Sequence, residues 1–411
     1  MKTIKLIKKF QRVKANYGFA TAVGRIFHFI GNIEGRRARR LDIKKTKGMK
    51  GDVLFINGYS LEHPARYRVR HQMEQLVLAG LICSRVYFED IEIDMEANFK
   101  TFIFYRCEYT TEVEVFIKRA KEHNKVVCFD VDDLVTDTKY TDLVPFVKSL
   151  LPRDKKLFDQ SVALTGKTLA ACDIVVTTTD ELAKELGRVV SKTHINRNTA
   201  SLEMVACAEK AYQKHCLKED INSNHIWIGY FSGSLTHNKD FSIVHSALIK
   251  ILENHKNVGL LLVGELDSSD ELQIYSNRIV KKNTVGWREL PALIVEVDIN
   301  LAPLEDTLFN RCKSEIKWIE AALVRVPTVA SKIGAFDMMI EDGVTGILCD
   351  NITDDWYNKL ESLIVNQDTR KEIANNAYSY VMDNCTTAGT ADEYKNFIKK
   401  VMENSDGNWE R

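Results

Sequence analysis

Short apolar runs alternate with longer amphipathic segments along the chain from residue 51 onward. The apolar runs of the first half predict strands at 53–57, 84–90, 101–106, 126–130 and 173–179. The amphipathic segments between them predict helices at 67–79, 112–123 and 157–171. This alternation is typical of a mostly parallel sheet with helices on both faces, where ligands bind beside the carboxyl ends of the strands. Residues 51–205 are therefore predicted to form one α/β domain.

A second alternation of the same kind follows a polar stretch, 206–224, that lacks strand character and is predicted to be a linker. Its apolar runs predict strands at 226–231, 259–265, 299–304, 327–331 and 345–350. Helices are predicted at 241–253 and 314–323, and three more close the chain at 353–365, 368–384 and 388–403. Two α/β units joined by a linker suggest a cleft between domains, which is a common place for a ligand.

Charge is balanced over the whole chain but not along it. The 57 Lys and Arg equal the 57 Asp and Glu, which argues against a nucleic-acid-binding protein. Residues 1–50 nevertheless hold 15 Lys and Arg against Glu34 and Asp42, a net charge of +13. Residues 1–47 are predicted to be a basic helical leader, whose amphipathic stretch 17–33 lies on an anionic membrane surface. A helix that packs on the protein's own surface is the alternative.

The apolar content and the cysteines indicate a cytoplasmic location. No run of 18 apolar residues predicts a transmembrane helix, and the basic start lacks the features of a signal peptide. The nine cysteines are scattered without metal-ligand spacing, which favours buried free thiols in a reducing compartment. If the leader binds lipid, the protein is expected on the inner face of the cell membrane.

A glycine turn joins the first strand of the second half to its helix, in the sequence GYFSGSLTHNKD. Gly233 and Ser234 would let backbone amides approach a phosphate, and the following helix N-terminus adds partial positive charge. Lys239 supplies a full charge for a departing diphosphate. The alternative is an ordinary turn between strand and helix with a surface lysine.

Polar residues also crowd a helix start in the sequence PLEDTLFNRCKSEIKWIE, after an apolar strand. Cations and hydrogen-bonding groups gather where an anion is favoured: Asn310, Arg311, Lys313 and Ser314. Glu320, within the helix, could accept hydrogen bonds from a ribose diol. The alternative is a solvated helix with Glu and Lys paired across turns. That alternative is the expectation for Glu315 and Lys317, whereas Glu320 precedes an apolar run.

The first half offers a second set of candidates where its first strand ends. Asn57 and Gly58 close that strand, and Arg66 and Arg68 lie at the start of the next helix. The two arginines could hold an anionic acceptor or close over a diphosphate. A solvated, basic helix start is the alternative.

The segment EAALVRVPTVASKIGAFDMMIEDGVTGILCD resembles the C-terminal domain of the retaining GT-B glycosyltransferases of family 4 and the related group 1 transferases. The resemblance covers 226–385 well and 51–200 loosely. It implies two Rossmann-like domains facing across a cleft, with the nucleotide sugar bound by the second domain, 225–385, and the acceptor by the first. It also implies that the last segment, 386–411, crosses back to the first domain as a helix.

The family's site residues carry over in part. Glu320 falls on the second Glu of the family's Glu-x7-Glu motif, which holds the donor ribose, whereas the first Glu position falls on Cys312. Lys239 falls on the lysine of an Arg-x4-Lys diphosphate clamp, whose arginine position is Ser234. Residues nearby could replace the missing groups: Glu305 for the carboxylate, and Arg311, Lys313 or His237 for the charge.

An acidic cluster, Asp130-Val131-Asp132-Asp133, ends the strand predicted at 126–130. Two carboxylates at this spacing could hold a divalent cation. The GT-B resemblance instead implies catalysis without bound metal, so Asp132 and Asp133 are expected to serve the acceptor side or the domain interface. A cluster of helix N-caps is the remaining alternative.

Together these observations predict a glycosyltransferase that uses a nucleotide-diphosphate sugar and no further cofactor. The family resemblance implies that it retains anomeric configuration and works without a metal. The acceptor is expected to be a growing cell-surface polysaccharide or glycoconjugate. A lipid-linked acceptor and one without a lipid are both compatible with the sequence. Lys239, Lys313 and Glu320 are the predicted catalytic residues, because cations placed in a cleft stabilise the charge that grows on the leaving diphosphate. Two alternatives stay open: an inactive sugar-nucleotide-binding partner of another transferase, and a nucleotide-sugar epimerase of the same fold.

Overall fold

A computed structural model describes most of the 411-residue chain. The described residues are 42, 46, 48–59, 62–144, 147–148, 150–217, 225–232, 238–264, 266 and 270–403. The predicted leader, 1–47, therefore lies outside them except at two positions. So do three predicted donor-binding residues, Gly233, Ser234 and His237.

The first sheet has six parallel strands in the order β2-β1-β3-β4-β5-β6. Its strands are β1 Gly51–Asn57, β2 Cys83–Tyr87, β3 Phe99–Tyr105, β4 Val127–Asp130, β5 Ile174–Thr177 and β6 Thr193–Ile195. The helices between and after them are α1 Glu62–Ala65, α2 Gln72–Leu78, α3 Met95–Asn98, α4 Thr111–Glu122, α5 Pro152–Ala171, α6 Asp180–Leu186 and α7 Leu202–Cys216. A π-helical segment, Arg66–His71, joins α1 to α2, and short 3-10 segments occur at Phe88–Asp90 and Thr138–Leu143.

The second sheet also has six parallel strands, in the order β12-β11-β10-β7-β8-β9. They are β7 Ile226–Phe231, β8 Val258–Val263, β9 Ile279–Lys282, β10 Ile299–Ala302, β11 Thr328–Ser331 and β12 Ile347–Cys349. The helices are α8 Asn238–Asn254, α9 Asp270–Gln273, α10 Leu290–Ile294, α11 Leu308–Arg311, α12 Ile316–Leu323, α13 Gly334–Met339, α14 Thr353–Val365, α15 Gln367–Asn384 and α16 Ala391–Glu403. A 3-10 segment, Ser276–Arg278, precedes β9.

The prediction of two parallel α/β sheets is confirmed, and the differences are local. The edge strands β6 and β9 were not predicted, and neither were several helices, among them α3, α6, α9, α10 and α11. The predicted linker, 206–224, is helical as far as Cys216, and 218–224 lie outside the described residues. Helix α5 begins at Pro152, five residues before the predicted start, because proline is tolerated in a first helical turn.

Each sheet has one point at which the order of successive strands reverses. In the first sheet β2 lies on one side of β1 and β3 to β6 lie on the other, so the strand order reverses between β1 and β3. In the second sheet it reverses in the same way between β7 and β10. In open α/β sheets, the carboxyl ends beside such a reversal form the usual ligand-binding crevice. Each domain therefore offers one predefined position for a site.

The final helix returns to the first domain. Helix α16 packs on α2, and Tyr394, Ile398 and Val401 lie in the same apolar cluster as Val53 and Phe55 of β1. Of the helices in the described ranges, none is long and apolar enough to cross a membrane.

A buried ion pair supports the carboxyl end of the first sheet. Arg68 and Asp130 are both 0% exposed, with Arg68 Nη2 2.7 Å from Asp130 Oδ2 and Arg68 Nε donating to Oδ1 at 2.9 Å. Arg68 Nη1 also donates to the carbonyl oxygen of Asn196 at 2.6 Å, so β4 is tied to the segment after β6. Arg68 is thus an interior residue that does not line a crevice.

Arg68→Met is expected to lower the free energy of unfolding by about 3–5 kcal/mol, because it leaves Asp130 as a buried charge without its counterion. Urea denaturation measures this loss. The matched control is Arg119→Met, whose side chain is 43% exposed and pairs with Glu96 at 3.3 Å. We expect that variant to lose less than about 1 kcal/mol. Equal losses in the two variants would contradict the assignment of a structural role to the buried pair.

Candidate functional site

The reversal point of the second sheet is organised by Asp240, in the first turn of α8. Asp240 is 2% exposed, and its Oδ1 accepts hydrogen bonds from the backbone N–H of Glu305 at 3.0 Å and from Asn310 Nδ2 at 2.9 Å. Lys313 Nζ lies 3.6 Å from Asp240 Oδ2. The carboxylate thus holds the loop after β10 and brings a lysine to the crevice.

A non-helical segment separates α11 from α12, and residues of the first domain bind this segment. Thr307 caps α11 by accepting a hydrogen bond from the N–H of Asn310 at 3.2 Å. Beyond α11, Thr179 Oγ1 donates to the carbonyl oxygen of Cys312 at 3.1 Å, and Asn198 Nδ2 donates to Ser314 Oγ at 3.0 Å. Both donors belong to the first domain, so the start of α12 is positioned by both halves of the chain.

Cys312 occupies an apolar position rather than a ligand-binding one. Its side chain is 1% exposed, and together with Phe309 it belongs to the apolar cluster of the first domain that includes Leu182 and Leu186. A carboxylate here would be buried without water, at a high cost in free energy. This packing gives a physical reason for the absence of a glutamate at this position.

Glu320 faces the first domain across the crevice. Tyr67 Oη donates to Glu320 Oε1 at 3.0 Å, and Arg66 Nη2 donates to Tyr67 Oη at 2.8 Å. Burial raises the pKa of Glu320, while the Tyr67 hydrogen bond and the charges of Arg66 and Lys317 act in the opposite direction. The predicted ribose-binding carboxylate is therefore part of a chain of hydrogen bonds that joins the two domains.

Lys317 and Glu315 do not lie on a solvated face, and the sequence-based expectation for both was wrong. Lys317 Nζ is buried 4.8 Å from the ring centroid of Tyr230, without a hydrogen-bond partner among the described residues. Glu315 is 0% exposed, and its nearest cation is Arg197, with Arg197 Nη1 3.9 Å from Oε2. Burial lowers the pKa of Lys317 to about 8 and raises that of Glu315 to about 7.

Lys239 and Arg311, two cations that the sequence singled out, are only loosely part of this crevice. Lys239 is exposed at the first turn of α8. Arg311 pairs with Asp306, with Nε donating to Oδ1 at 2.6 Å. Glu305, the candidate replacement for the missing glutamate, is half-buried, and its backbone rather than its carboxylate is bound by Asp240.

The predicted acceptor-side residues Asn57 and Gly58 lie where the strand order of the first sheet reverses. Gly58 donates its N–H to the carbonyl oxygen of Tyr105 at 2.8 Å, and a Cβ atom at this glycine would lie 2.2 Å from the carbonyl oxygen of Arg106. Only glycine allows this approach. Asn57, at the end of β1, is 7% exposed, and its Oδ1 accepts from the N–H of Tyr59 at 2.9 Å.

Arg106 neutralises the acidic cluster after β4. Arg106 Nε donates to Asp132 Oδ1 at 2.7 Å, and Nη2 pairs with both Asp132 and Asp133. No helix begins at these aspartates, so they are not N-caps. Within the part of the chain that the structure describes, no group of three or more His, Cys, Asp or Glu side chains could hold a metal ion.

A cavity of about 350 Å³ lies between the domains beside these groups. The first domain contributes Thr179 and the start of α6, and the second contributes α11, α13 and the loop before α13. Charged side chains of both signs line it: Asp180, Glu181, Asp306, Arg311, Lys332 and Asp337. This volume lies in the range of small-molecule sites.

The structure thus brings Asn310, Lys313, Ser314 and Glu320 together with Arg66, and it places Asp132 and Asp133 at the other domain's strand ends. Sequence reasoning missed Asp240, Tyr67 and Lys317. One signal was available for Lys317, because it lies three residues before Glu320 and so shares its helix face. No signal in the sequence indicated that Tyr67 would meet this face.

Comparisons with known proteins agree with this architecture. Residues 227–366 match the family described as "Glycosyl transferases group 1". No curated protein sequence matches the chain. A glycosyltransferase from Rickettsia africae ESF-5 has a similar structure, with a TM-score of 0.59, 15% identity, and coverage of 86% of this chain and 99% of that one.

Two further solved structures have the same architecture. Anabaena Alr3699/HepE, in complex with UDP, has a TM-score of 0.55 and 13% identity, over 86% of this chain and 99% of that one. WaaG, a glycosyltransferase involved in lipopolysaccharide biosynthesis, has a TM-score of 0.52 and 14% identity, over 84% of this chain and 99% of that one. At these identities the likeness concerns the fold.

The paired parallel sheets and the crevice between them define a GT-B protein of two Rossmann-like domains. Residues 227–366, within the second domain, form a glycosyl transferases group 1 domain.

Glu315→Gln is expected to raise stability at pH 8 but not at pH 4.5. Burial raises the pKa of Glu315 from 4.5 to about 7, so the folded protein keeps a proton that the unfolded chain releases at lower pH. Stability therefore falls as pH rises through this window, and a neutral glutamine avoids the loss. Urea denaturation should show a gain on the order of 2–3 kcal/mol at pH 8.

The matched control is Glu372→Gln, at an exposed position of α15. This variant is expected to leave stability unchanged at both pH values. Equal stability of wild type and Glu315→Gln at pH 8 would mean that Arg197 fully compensates the buried carboxylate.

Proposed function

We propose that the protein is a glycosyltransferase that moves a sugar from a nucleotide-diphosphate donor to a growing glycan, with retention of anomeric configuration and without a bound metal. The observation that carries the proposal is the arrangement at the reversal point of the group 1 domain. Lys313, just before α12, has its Nζ atom 3.6 Å from the buried Asp240, and Glu320 lies within α12. A cation and a carboxylate that accepts hydrogen bonds from hydroxyl groups, placed where the strand order of one sheet reverses, suit a phosphate linked to a ribose.

The donor is assigned to the second domain. Lys313 and Lys239 would neutralise the charge that develops on the leaving diphosphate, with Ser314 and Asn310 as hydrogen-bonding neighbours. Glu320 would accept hydrogen bonds from the ribose hydroxyls. Gly233, Ser234 and His237, which lie outside the described residues, complete the proposed set of donor-binding residues. Support comes from relatives of the same fold, since the Anabaena protein was solved with UDP and with UDP-glucose.

The acceptor is assigned to the first domain, near Asn57, Gly58 and the Arg106 cluster with Asp132 and Asp133. Carboxylates fixed by an arginine present rigid acceptors to sugar hydroxyls. A glycan of a cell-surface polysaccharide or glycoconjugate fits this role, and the lipopolysaccharide role of WaaG supports it. Carriage of the acceptor on a lipid would agree with a peripheral membrane location through the +13 segment 1–50.

An inactive sugar-nucleotide binder is the second candidate, favoured by one observation. Cys312, at the position of a family glutamate, is buried in the first domain's core and presents no group to a donor sugar. This candidate predicts donor binding without transfer or hydrolysis. An epimerase would instead convert the donor without any acceptor glycan.

A panel of UDP-, GDP- and dTDP-sugars should contain at least one member that raises the melting temperature of the full chain without added divalent metal, because ligands stabilise the folded state by mass action. Product analysis with that donor then separates transfer, hydrolysis and epimerisation. The absence of a shift for every nucleotide sugar tested, with and without Mg²⁺, would reject the proposed function.

Lys239→Ala and Lys313→Ala are each expected to lower turnover about a hundredfold, on the order of 3 kcal/mol of barrier. Stability should change by less than about 1 kcal/mol, because Lys239 is exposed and Lys313 forms only a long, partly exposed ion pair. Initial rates of donor consumption measure the effect. Lys371→Ala, at an exposed position of α15, is the control that should keep full activity. Normal turnover in both active-site variants would defeat the assignment of these lysines.

A further inference from the structure

Two cations at the domain interface have buried nitrogen atoms without hydrogen-bond partners among the described residues. Lys317 Nζ has no hydrogen-bond partner among the described residues and is surrounded by Tyr230, Asp240, Lys313 and Glu320, with Tyr230 contributing a ring face 4.8 Å away. Arg66 is 2% exposed, and its Nε and Nη1 atoms likewise have no partner in the described part of the chain.

These two residues differ from the structural cations of the same interface. Arg68 uses Nε, Nη1 and Nη2 in hydrogen bonds to Asp130 and Asn196. Within the described ranges, Arg66 donates through Nη2 alone, to Tyr67 Oη. Burying polar atoms of a charged group without hydrogen-bond partners costs free energy. The burial of Lys317 Nζ and of Arg66 Nε and Nη1 therefore does not stabilise the fold.

Both cations flank the same carboxylate from opposite domains. Glu320 accepts from Tyr67, and the charges of Arg66 and Lys317 both lower its pKa. Arg66 belongs to the π-helical segment of the first domain, whereas Lys317 lies on α12 of the second. The open nitrogen atoms are therefore gathered around one carboxylate at the domain interface.

Aromatic rings hold the arginine in place. The Arg66 Cζ atom lies 4.6 Å from the ring centroid of Tyr67 and 4.4 Å from that of Trp287. Contact with two rings restricts the guanidinium, whose buried Nε and Nη1 atoms have no hydrogen-bond partner among the described residues.

We propose that Arg66 and Lys317 together bind the pyrophosphate group of the donor, with Arg66 reaching it from the acceptor domain. Arg66 would donate through Nε and Nη1 to phosphate oxygens, and the Lys317 ammonium would act as a point charge on the same group. This inference rests on the proposed function. It adds a consequence, since a donor bound in this way joins the two domains before the acceptor is engaged.

Titration calorimetry on the full chain tests the proposal, with UDP, GDP, dTDP and inorganic pyrophosphate as probes and no divalent metal. Arg66→Gln and Lys317→Met are each expected to weaken binding of the preferred nucleoside diphosphate about tenfold to a hundredfold. Pyrophosphate binding should weaken in parallel, because both variants act on the phosphates. The controls Arg153→Gln and Lys371→Met, at exposed positions, should bind like wild type.

Stability separates a binding role from a structural one. Lys317→Met replaces an unpaired buried charge by an apolar group, so its melting temperature without ligand should equal or exceed that of wild type. A lowered melting temperature together with unchanged affinity would overturn the assignment for Lys317. Arg66→Lys tests the arginine if Arg66→Gln does not fold, and it should recover only part of the affinity.

Proton uptake offers a test on the wild-type protein alone. Burial lowers the pKa of Lys317 to about 8, with Asp240, Glu320 and Lys313 as the charged groups that face it. A bound anion raises that pKa, so binding at pH 8.5 should take up protons, as measured in buffers of different ionisation enthalpy. Lys317→Met should abolish the uptake, and its absence in wild type would contradict the proposal.

The outcomes distinguish this inference from the proposed function. Wild type that binds and transfers a donor, while Arg66→Gln and Lys317→Met bind it equally well, rejects the shared diphosphate site and leaves the transferase assignment intact. Wild type that binds no nucleotide sugar rejects both.

Discussion

Each domain places part of itself in the apolar core of the other, and the geometry of the crevice follows from this exchange. Phe309 and Cys312 of the second domain pack in the cluster of the first, and Tyr67 of the first packs in the cluster of the second. These contacts bury apolar side chains that neither domain could cover alone. The segment between Phe309 and the start of α12 is consequently fixed from both sides. The residues that follow on α12, Lys317 and Glu320, take their positions from it.

Buried charges near this interface fall into two groups. Arg68 with Asp130, and Arg106 with Asp132, are paired at hydrogen-bonding distance and hold strand ends in register with the loops beside them. Arg66 and Lys317 have polar atoms that the described residues leave without partners. Because pairing offsets the desolvation of a charge, the first group suits a structural role and the second suits a ligand.

Tyr67 links the two domains across the crevice. Its hydroxyl receives a hydrogen bond from Arg66 and donates one to Glu320, so a carboxylate of the second domain is bound directly by a side chain of the first. Any ligand that changes the hydrogen bonding of Glu320 therefore acts on both domains. This arrangement suits the proposed transfer reaction, in which two substrates meet between the domains, because closure of the domains would then depend on the bound donor.

The sequence by itself determined the two α/β domains and most of their elements, because strands buried on both faces, such as β1 and β8, read as uninterrupted apolar runs. It missed the half-exposed edge strands β6 and β9 and the polar helix α7, which buries little more than Met204 and Ala208. Local motifs also indicated Lys313 and Glu320. Only the tertiary structure decided that the Glu315 side chain and the Lys317 ammonium group are buried and that Tyr67 meets Glu320. Helical periodicity states which residues share a face, whereas the first domain, distant in sequence, determines what covers that face.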